Sequence, residues 1–260
     1  VLTWVWGVNG YIIAQFLVYT TISVWIYCRS GVTLTRPSTF TLFRPATVVG
    51  FPIMLAGLLL SLMLTVDRWI ILQWLGIEAV GHYTVAILVQ TTLTILPQVI
   101  SQQFYPRMAE SYGQTRSIRL LRVPVFKQSV VSLGVTLPLL FAVYLTLPAT
   151  VSWILPEFST GVEPARIILL GVAFMPITLG IANFFNIIGK QMYYLLAQAF
   201  TLGVNVSLSI WFIERGMGLE GVALAGSLSW ISFTVFMLIA FLTTIRGSGN
   251  IIALKSLSKT

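Results

Sequence analysis

Residues 51–113 read FPIMLAGLLLSLMLTVDRWIILQWLGIEAVGHYTVAILVQTTLTILPQVISQQFYPRMAESYG. Two long apolar runs fill this stretch, parted only by Gly76-Ile77-Glu78. A hydrocarbon core is about 30 Å thick, and a helix rises 1.5 Å per residue, so about twenty apolar residues cross it. Within lipid every backbone polar group needs an internal partner, which leaves helices and closed barrels. Barrel strands alternate over about ten residues. These runs are longer and unbroken, so they are helices.

Outward from there the pattern repeats. Apolar stretches run over Leu2–Tyr27, Ala46–Leu75, His82–Phe104, Val125–Leu147, Ile167–Ile188, Tyr193–Ile213 and Val222–Ile245. The expected fold is an all-α polytopic membrane protein with seven transmembrane helices. Composition agrees: 57% of the 260 residues are hydrophobic and 8% charged, with mean hydropathy +0.92. A soluble surface needs roughly 25% charged residues. One cysteine, Cys28, cannot form an internal disulfide, and one histidine with one cysteine cannot make an ordinary Cys/His metal site. No cofactor is expected. The sequence shows no phosphate-cradling glycine loop and no GxSxG, so nothing points to an enzyme. His82, beside Tyr83 at a helix start, reads as an interfacial hydrogen-bonding residue.

The net charge of +8 has a membrane reading and not a nucleic-acid one. With seven alternating spans, twelve basic residues fall on one side. They are Arg29, Arg36, Arg44, Arg107, Arg116, Arg119, Arg122, Lys127, Lys190, Arg246, Lys255 and Lys259, with Glu110 among them. The other side holds Arg166 and Arg215 with Glu78, Glu157, Glu163, Glu214 and Glu220. The positive-inside rule makes the first side cytoplasmic, so Val1 starts outside and the C-terminus lies inside. No methionine or basic leader precedes the first run. An odd helix count with an outside start is the pattern of a truncated transporter, and further upstream chain is expected.

Polar residues repeat at helical spacing inside several runs. Gln90, Thr94, Gln98 and Gln102 step by four. Gly50, Met54, Gly57, Ser61, Thr65 and Arg68 share a face, as do Gln198, Thr201, Asn205 and Ser209. Gly180, Asn183 and Lys190 lie near one face of the fifth run, with Asn186 beside them. Polar side chains are costly against lipid, so each stripe faces protein or water. Helix–helix glue and a hydrated cavity both satisfy that condition. The last stripe of four reads as glue. The long amide-rich stripes of the second and third runs read as a cavity lining. Asp67 and Arg68 are the charges set deep in an apolar run. Neighbours on a helix point about 100° apart, so each needs its own partner. They are a candidate site, with an outer-interface anchor as the competing reading. Pro52, Pro97, Pro138 and Pro176 are expected within helices, as kinks or as bending points. The echo of Gly76-Ile77-Glu78 in Gly218-Leu219-Glu220 reads as helix initiation, with Glu at the positive end of the dipole.

The stretch Phe51–Gly113 carries a resemblance. Pro52, Asp67-Arg68, Leu75-Gly76, Gly81, Tyr83, Pro97, Pro106-Arg107 and Gly113 together resemble the O-antigen-type polysaccharide flippases of the multidrug/oligosaccharidyl-lipid/polysaccharide exporter superfamily. That family folds as two pseudo-symmetric helical bundles, MATE-like. The resemblance spans roughly residues 46–245 and implies that these are the second, six-helix lobe. Residues 1–45 would then be the last helix of the first lobe with a cytoplasmic linker, and 246–260 a cytoplasmic tail. The rest of the first lobe would be a missing partner of the same chain.

The implied substrate is an oligosaccharide on a polyprenyl pyrophosphate, flipped across a bacterial inner membrane and held by Ser61, Thr65, Asp67, Arg68, Gln90, Thr94, Gln98, Gln102 and Arg107. Membrane lipid and an unnamed coupling ion are the other expected partners. Two readings compete. A drug/cation antiporter of the same superfamily should carry several membrane acids. A non-transporting scaffold in envelope assembly should bury its polar stripes between helices.

Overall fold

The structure is a computed structural model that describes residues 2–30 and 43–257. Its regular elements are helical: α1 (Leu2–Ser30), α2 (Phe43–Trp74), α3 (Ile77–Thr115), α4 (Arg122–Ile154), α5 (Val162–Val172), α6 (Met175–Ile187), α7 (Gln191–Glu214) and α8 (Gly218–Leu257), with a 3₁₀ turn at Pro156–Gly161. The chain divides into two units, Val1–Val48 and Val49–Thr260. In the first unit α1 is long and apolar enough to cross a membrane over Trp6–Ser30, and its large side chains from Trp6 onward are exposed. In the second, α2, α3, α4, α7 and α8 are each long and apolar enough as well. The protein is an all-α, polytopic membrane protein.

The fifth apolar run departs from expectation. Ile167–Ile188 is not one helix but the junction of two, α5 and α6, bent by 41° at Ala173-Phe174. Pro176 sits in the first turn of α6 and not inside a helix. It has no N–H to continue α5, while an N-terminal turn needs none there. Pro52, Pro97 and Pro138 do lie within helices, as do Pro106 and Pro148.

A second departure concerns the connection expected over 105–127. α3 continues to Thr115 and α4 begins at Arg122, so Arg107 is helical and the true connection is 116–121. Hydropathy marks only the part of a helix that lipid contacts. At 39 residues α3 is far longer than a bilayer core requires. Arg116 stops it in the left-handed region (φ 50°), its N–H bonded to Tyr112 O at 2.8 Å.

Gly76 (φ 89°) and Gly218 (φ 54°) open α3 and α8 from a backbone conformation that L side chains rarely adopt. Glu78 and Glu220 occupy the first turns, at the positive end of each helix dipole. This is the initiation role read from the repeated tripeptide.

The second unit has two core clusters, which mark its two ends. One gathers Met108, Leu121, Phe184, Phe185, Phe233, Met237 and Phe241, with Ile188 and Ile245 packed against it. The connections α3–α4 and α6–α7 therefore lie together with the far part of α8. The other gathers Ile71, Tyr83, Val151, Ala165, Leu169 and Val222, with Leu75, Phe158, Ile213 and Leu219 against it. Arg107, Arg116, Arg119, Arg122, Lys127, Lys190 and Arg246 belong to the first end. Glu78, Glu157, Glu163, Glu214 and Glu220 belong to the second. Arg36, Arg44, Lys255 and Lys259, counted with the basic side, lie outside the residues whose side chains are described.

Close packing centres on α5, α7 and α8. A Cβ on Gly171 of α5 would stand 2.9 Å from Ser227 Cα of α8, so glycine permits that crossing. Among the described residues of the second unit, α7 and α8 pack backbone to backbone more extensively than α2 packs on any helix of that unit.

Candidate functional site

Asp67 and Arg68 part company. The inward face of α2 consists of Ala56, Met63, Asp67, Ile70 and Ile71, stepping by three, four or seven. Asp67 is buried there and Arg68 is exposed. Asp67 Oδ2 accepts a hydrogen bond from Tyr83 Oη of α3 at 3.3 Å, long for such a bond. The Asn205 amide of α7 approaches the same carboxylate. Gly226 of α8 leaves the space: a Cβ there would lie 3.5 Å from Asp67 Oδ2 and 3.8 Å from Asn205 Nδ2. Asp67 Oδ1 has no hydrogen-bond partner among the described residues. The carboxylate thus ties α2 to α3 beside α7 and α8, while the Arg68 side chain next to it in the chain is exposed.

The remaining expected site residues fall into separate surroundings. On α3, Thr94 is buried, Gln90 half-buried, and Gln98, Gln102 and Arg107 exposed. Thr94 donates to Thr91 O at 2.9 Å. Thr94 and Gln98 line a cavity of about 60 Å³ whose other walls include Leu60 and Leu64 of α2, Thr178 of α6, Tyr194 of α7 and Trp230 of α8. The face of α2 presented to this cavity is thus leucine. Ser61 and Thr65 turn elsewhere and satisfy themselves on their own helix, at Gly57 O (3.0 Å) and Ser61 O (2.8 Å). In this cavity α3 contributes two members of its stripe, and α2 contributes leucines from outside its own.

The stripe read as glue is buried. Gln198, Thr201, Asn205 and Ser209 are each 5% exposed or less on the side of α7 that packs on α8. A further stripe escaped notice in the sequence. Gln128, Ser132 and Thr136 of α4 are buried at a spacing of four, a signal of the kind used for α3. Gln128 joins a polar knot with Asn183 of α6, whose Nδ2 donates to Ser101 Oγ (2.8 Å) and to Gln128 Oε1 (3.2 Å). Thr178 and Thr234 pair at 2.7 Å. Asn186, near the end of α6, is exposed, and Lys190 lies beyond that helix, as the exposed residue before α7, so it does not share a face with Gly180 and Asn183 as the sequence suggested.

No protein-family model and no curated protein matches this sequence. Solved structures do. One, an outward-facing multidrug resistance MATE family transporter of the MOP superfamily, superposes with a TM-score of 0.75 at 15% identity over 93% of this chain. The chain has a MATE-type fold. A second match, a MATE protein in complex with MaD5, has a TM-score of 0.67 at 16% identity and covers the whole chain. At such identities the likeness is one of fold. The chain spans 56% and 58% of these MATE chains. The MATE-type arrangement is what brings Asp67, Tyr83, Asn205 and Gly226 together from four helices.

Proposed function

We propose that the protein containing this chain is a membrane transporter that moves lipid-linked oligosaccharides across a bacterial cytoplasmic membrane by alternating access. In this reading residues 46–245 form its second lobe, and the basic end of the bundle faces the cytoplasm under the positive-inside rule. One observation carries the choice of substrate. Of the two charges deep in the apolar runs, the exposed one is the cation Arg68, while Asp67 is buried against Tyr83. Along the apolar parts of α2 and α3 the exposed polar side chains include Arg68, Ser61, Gln98 and Gln102, an arginine, a hydroxyl and two amides. Such a surface suits an anion carrying sugars. A pyrophosphate cannot enter hydrocarbon unpaired. Arginine stays charged when desolvated and offers a planar fork of donors to phosphate, and amides donate to and accept from sugar hydroxyls.

A second reading, export of cationic drugs, draws on the description of one structural neighbour as a multidrug resistance transporter. The two separate in one experiment. Express the full-length protein in a flippase-deficient strain and, in parallel, in a strain sensitised to cationic dyes. Restored surface polysaccharide, lost largely in Arg68→Ala and partly in Arg68→Lys at normal membrane levels, is the expected result. Dye export without polysaccharide would replace the proposal with the antiporter. Neither activity would leave a scaffold. Full flipping by Arg68→Ala at normal abundance would remove Arg68 from the substrate surface.

A further inference from the structure

The turn between α3 and α4 carries Arg119, and Arg122 opens α4. Arg246 of α8 comes up beside them, and the three arginines with Ile245 line a pocket of about 360 Å³. The turn is pinned from within. Leu121 is fully buried in the core cluster with Met108, Phe184 and Phe241, and Arg122 N–H closes onto Arg119 O at 3.2 Å. Burying Leu121 leaves the arginines on either side of it exposed. Among the described residues none of the three has a carboxylate partner: the ion pairs there, Glu78–His82 and Glu163–Arg166, lie at the opposite end. Glu110, the nearby acid in the sequence, accepts from Gln114 on its own helix. The α4 N-terminus, with Leu121 as an uncharged cap that offers no side-chain bond, adds the positive end of a helix dipole.

A different feature continues from this pocket. Val123, Phe126 and Val130 of α4 are 65%, 70% and 50% exposed, stepping by three and four down one face of the helix. Leu120, in the turn, is exposed as well. A cationic pocket therefore stands at the head of an apolar strip that runs into the membrane-spanning part of α4. A soluble anion would use the pocket only. A molecule with a phosphate at one end and hydrocarbon at the other would use both.

We propose that Arg119, Arg122 and Arg246 hold the headgroup phosphate of an anionic phospholipid whose acyl chains lie along Val123, Phe126 and Val130. Arginine suits the task because two parallel N–H donors match two phosphate oxygens. An anionic bilayer surface already concentrates such lipids near basic residues, and the pocket converts that diffuse attraction into a seat. The assignment is independent of the transported substrate.

The test uses the full-length protein in detergent, titrated with phosphatidylglycerol, with phosphatidylcholine or with sodium phosphate. Bound lipids are counted by native mass spectrometry. Saturable binding of one phosphatidylglycerol is expected, with phosphatidylcholine far weaker. A basic residue near an anionic surface contributes about a fivefold change in binding, so the triple Arg→Gln variant should weaken it about a hundredfold. Arg119→Gln and Arg246→Gln singly, each about fivefold weaker, guard against a folding defect in the triple variant. Arg116→Gln/Lys190→Gln removes charge from the same end outside the pocket and should leave binding unchanged. Equal weakening in that control would make the attraction diffuse and overturn the proposal. So would unchanged binding in the single and triple variants. Displacement of the lipid by millimolar phosphate would show that the acyl strip contributes nothing, which also overturns it.

Discussion

The polar stripes of α3 and α7 use similar residues at similar spacing, and the molecule treats them oppositely. α7 buries Gln198, Thr201, Asn205 and Ser209, whereas α3 leaves Gln98 and Gln102 open and sinks only Thr94. The difference lies in the neighbour. α8 lies close along the α7 stripe. Beside the α3 stripe stands α2, which keeps its distance and presents Leu60 and Leu64 to the shared cavity. Packing a stripe against a helix forces its groups to find partners there. Several do not: Gln198 Oε1, Thr201 Oγ1, Asn205 Oδ1 and Ser209 Oγ have none among the described residues. The packed face thus carries a desolvation cost that an exposed face does not.

Thiol labelling is the strongest way to break this contrast. Cys28 is exposed and must first be replaced by serine. Cysteines at Gln98 and Gln102 should then react with a small polar reagent at least an order of magnitude faster than cysteines at Gln198 and Thr201. Leu88 and Ile95 are 54% and 58% exposed but apolar. They lie fourteen and seven residues before Gln102, on nearly the same side of α3, so cysteines there should react as readily as one at Gln102 if that side is wet. Equal rates at all six positions would abolish the distinction.

Glycine substitutions should give the next largest effect. Gly171→Ala puts a methyl 2.9 Å from Ser227 Cα, and overpacking at such a crossing costs about 1–3 kcal/mol. Gly57→Ala on the open face of α2 meets nothing within 4 Å and should stabilise by about 0.5–1 kcal/mol. Thermal unfolding in detergent reads both, and the opposite signs are the test.

Tyr83→Phe probes the boundary between the two regions. It removes the donor to Asp67 and should cost about 1–3 kcal/mol, the cost of leaving a buried acceptor unsatisfied. Adding Asp67→Leu should recover part of that loss. A further loss on adding it would mean that Asp67 has partners besides Tyr83 that matter more.

The smallest effect belongs to the unpartnered hydroxyls. Thr136 Oγ1 and Ser209 Oγ make no hydrogen bond among the described residues. Thr136→Val and Ser209→Ala should therefore change stability by no more than about 0.5 kcal/mol, in the stabilising direction if at all. A loss well beyond that would show that buried water or another group partners them.

Much of this was legible in the residues. The apolar runs, the glycine-led helix starts at Gly76 and Gly218 and the separation of Arg122 and Lys190 from Glu78 and Glu220 all follow from the order of the chain. The break at Ala173-Phe174 was missed because the run through it is apolar throughout, and hydropathy does not register a bend. Pro176 was the available signal, but a proline reads alike as a kink within a helix and as a first-turn residue. The α4 stripe was missed although its spacing is plain, because Ser132 and Thr136 are short and sit among valines and leucines.

What the sequence determined by itself is the solvent and the helical class. Too few charges exist to wet a surface, the runs match a bilayer, and basic and acidic connections alternate. Those properties depend on residues near one another in the chain. Which polar face is buried, which is open, and that Asp67 turns to Tyr83 while Arg68 turns out, were decided only by tertiary structure. A polar stripe states that a helix face avoids lipid. Protein interior and water both meet that demand, and the choice between them rests on how near another helix comes, as at Gly171 and Gly226.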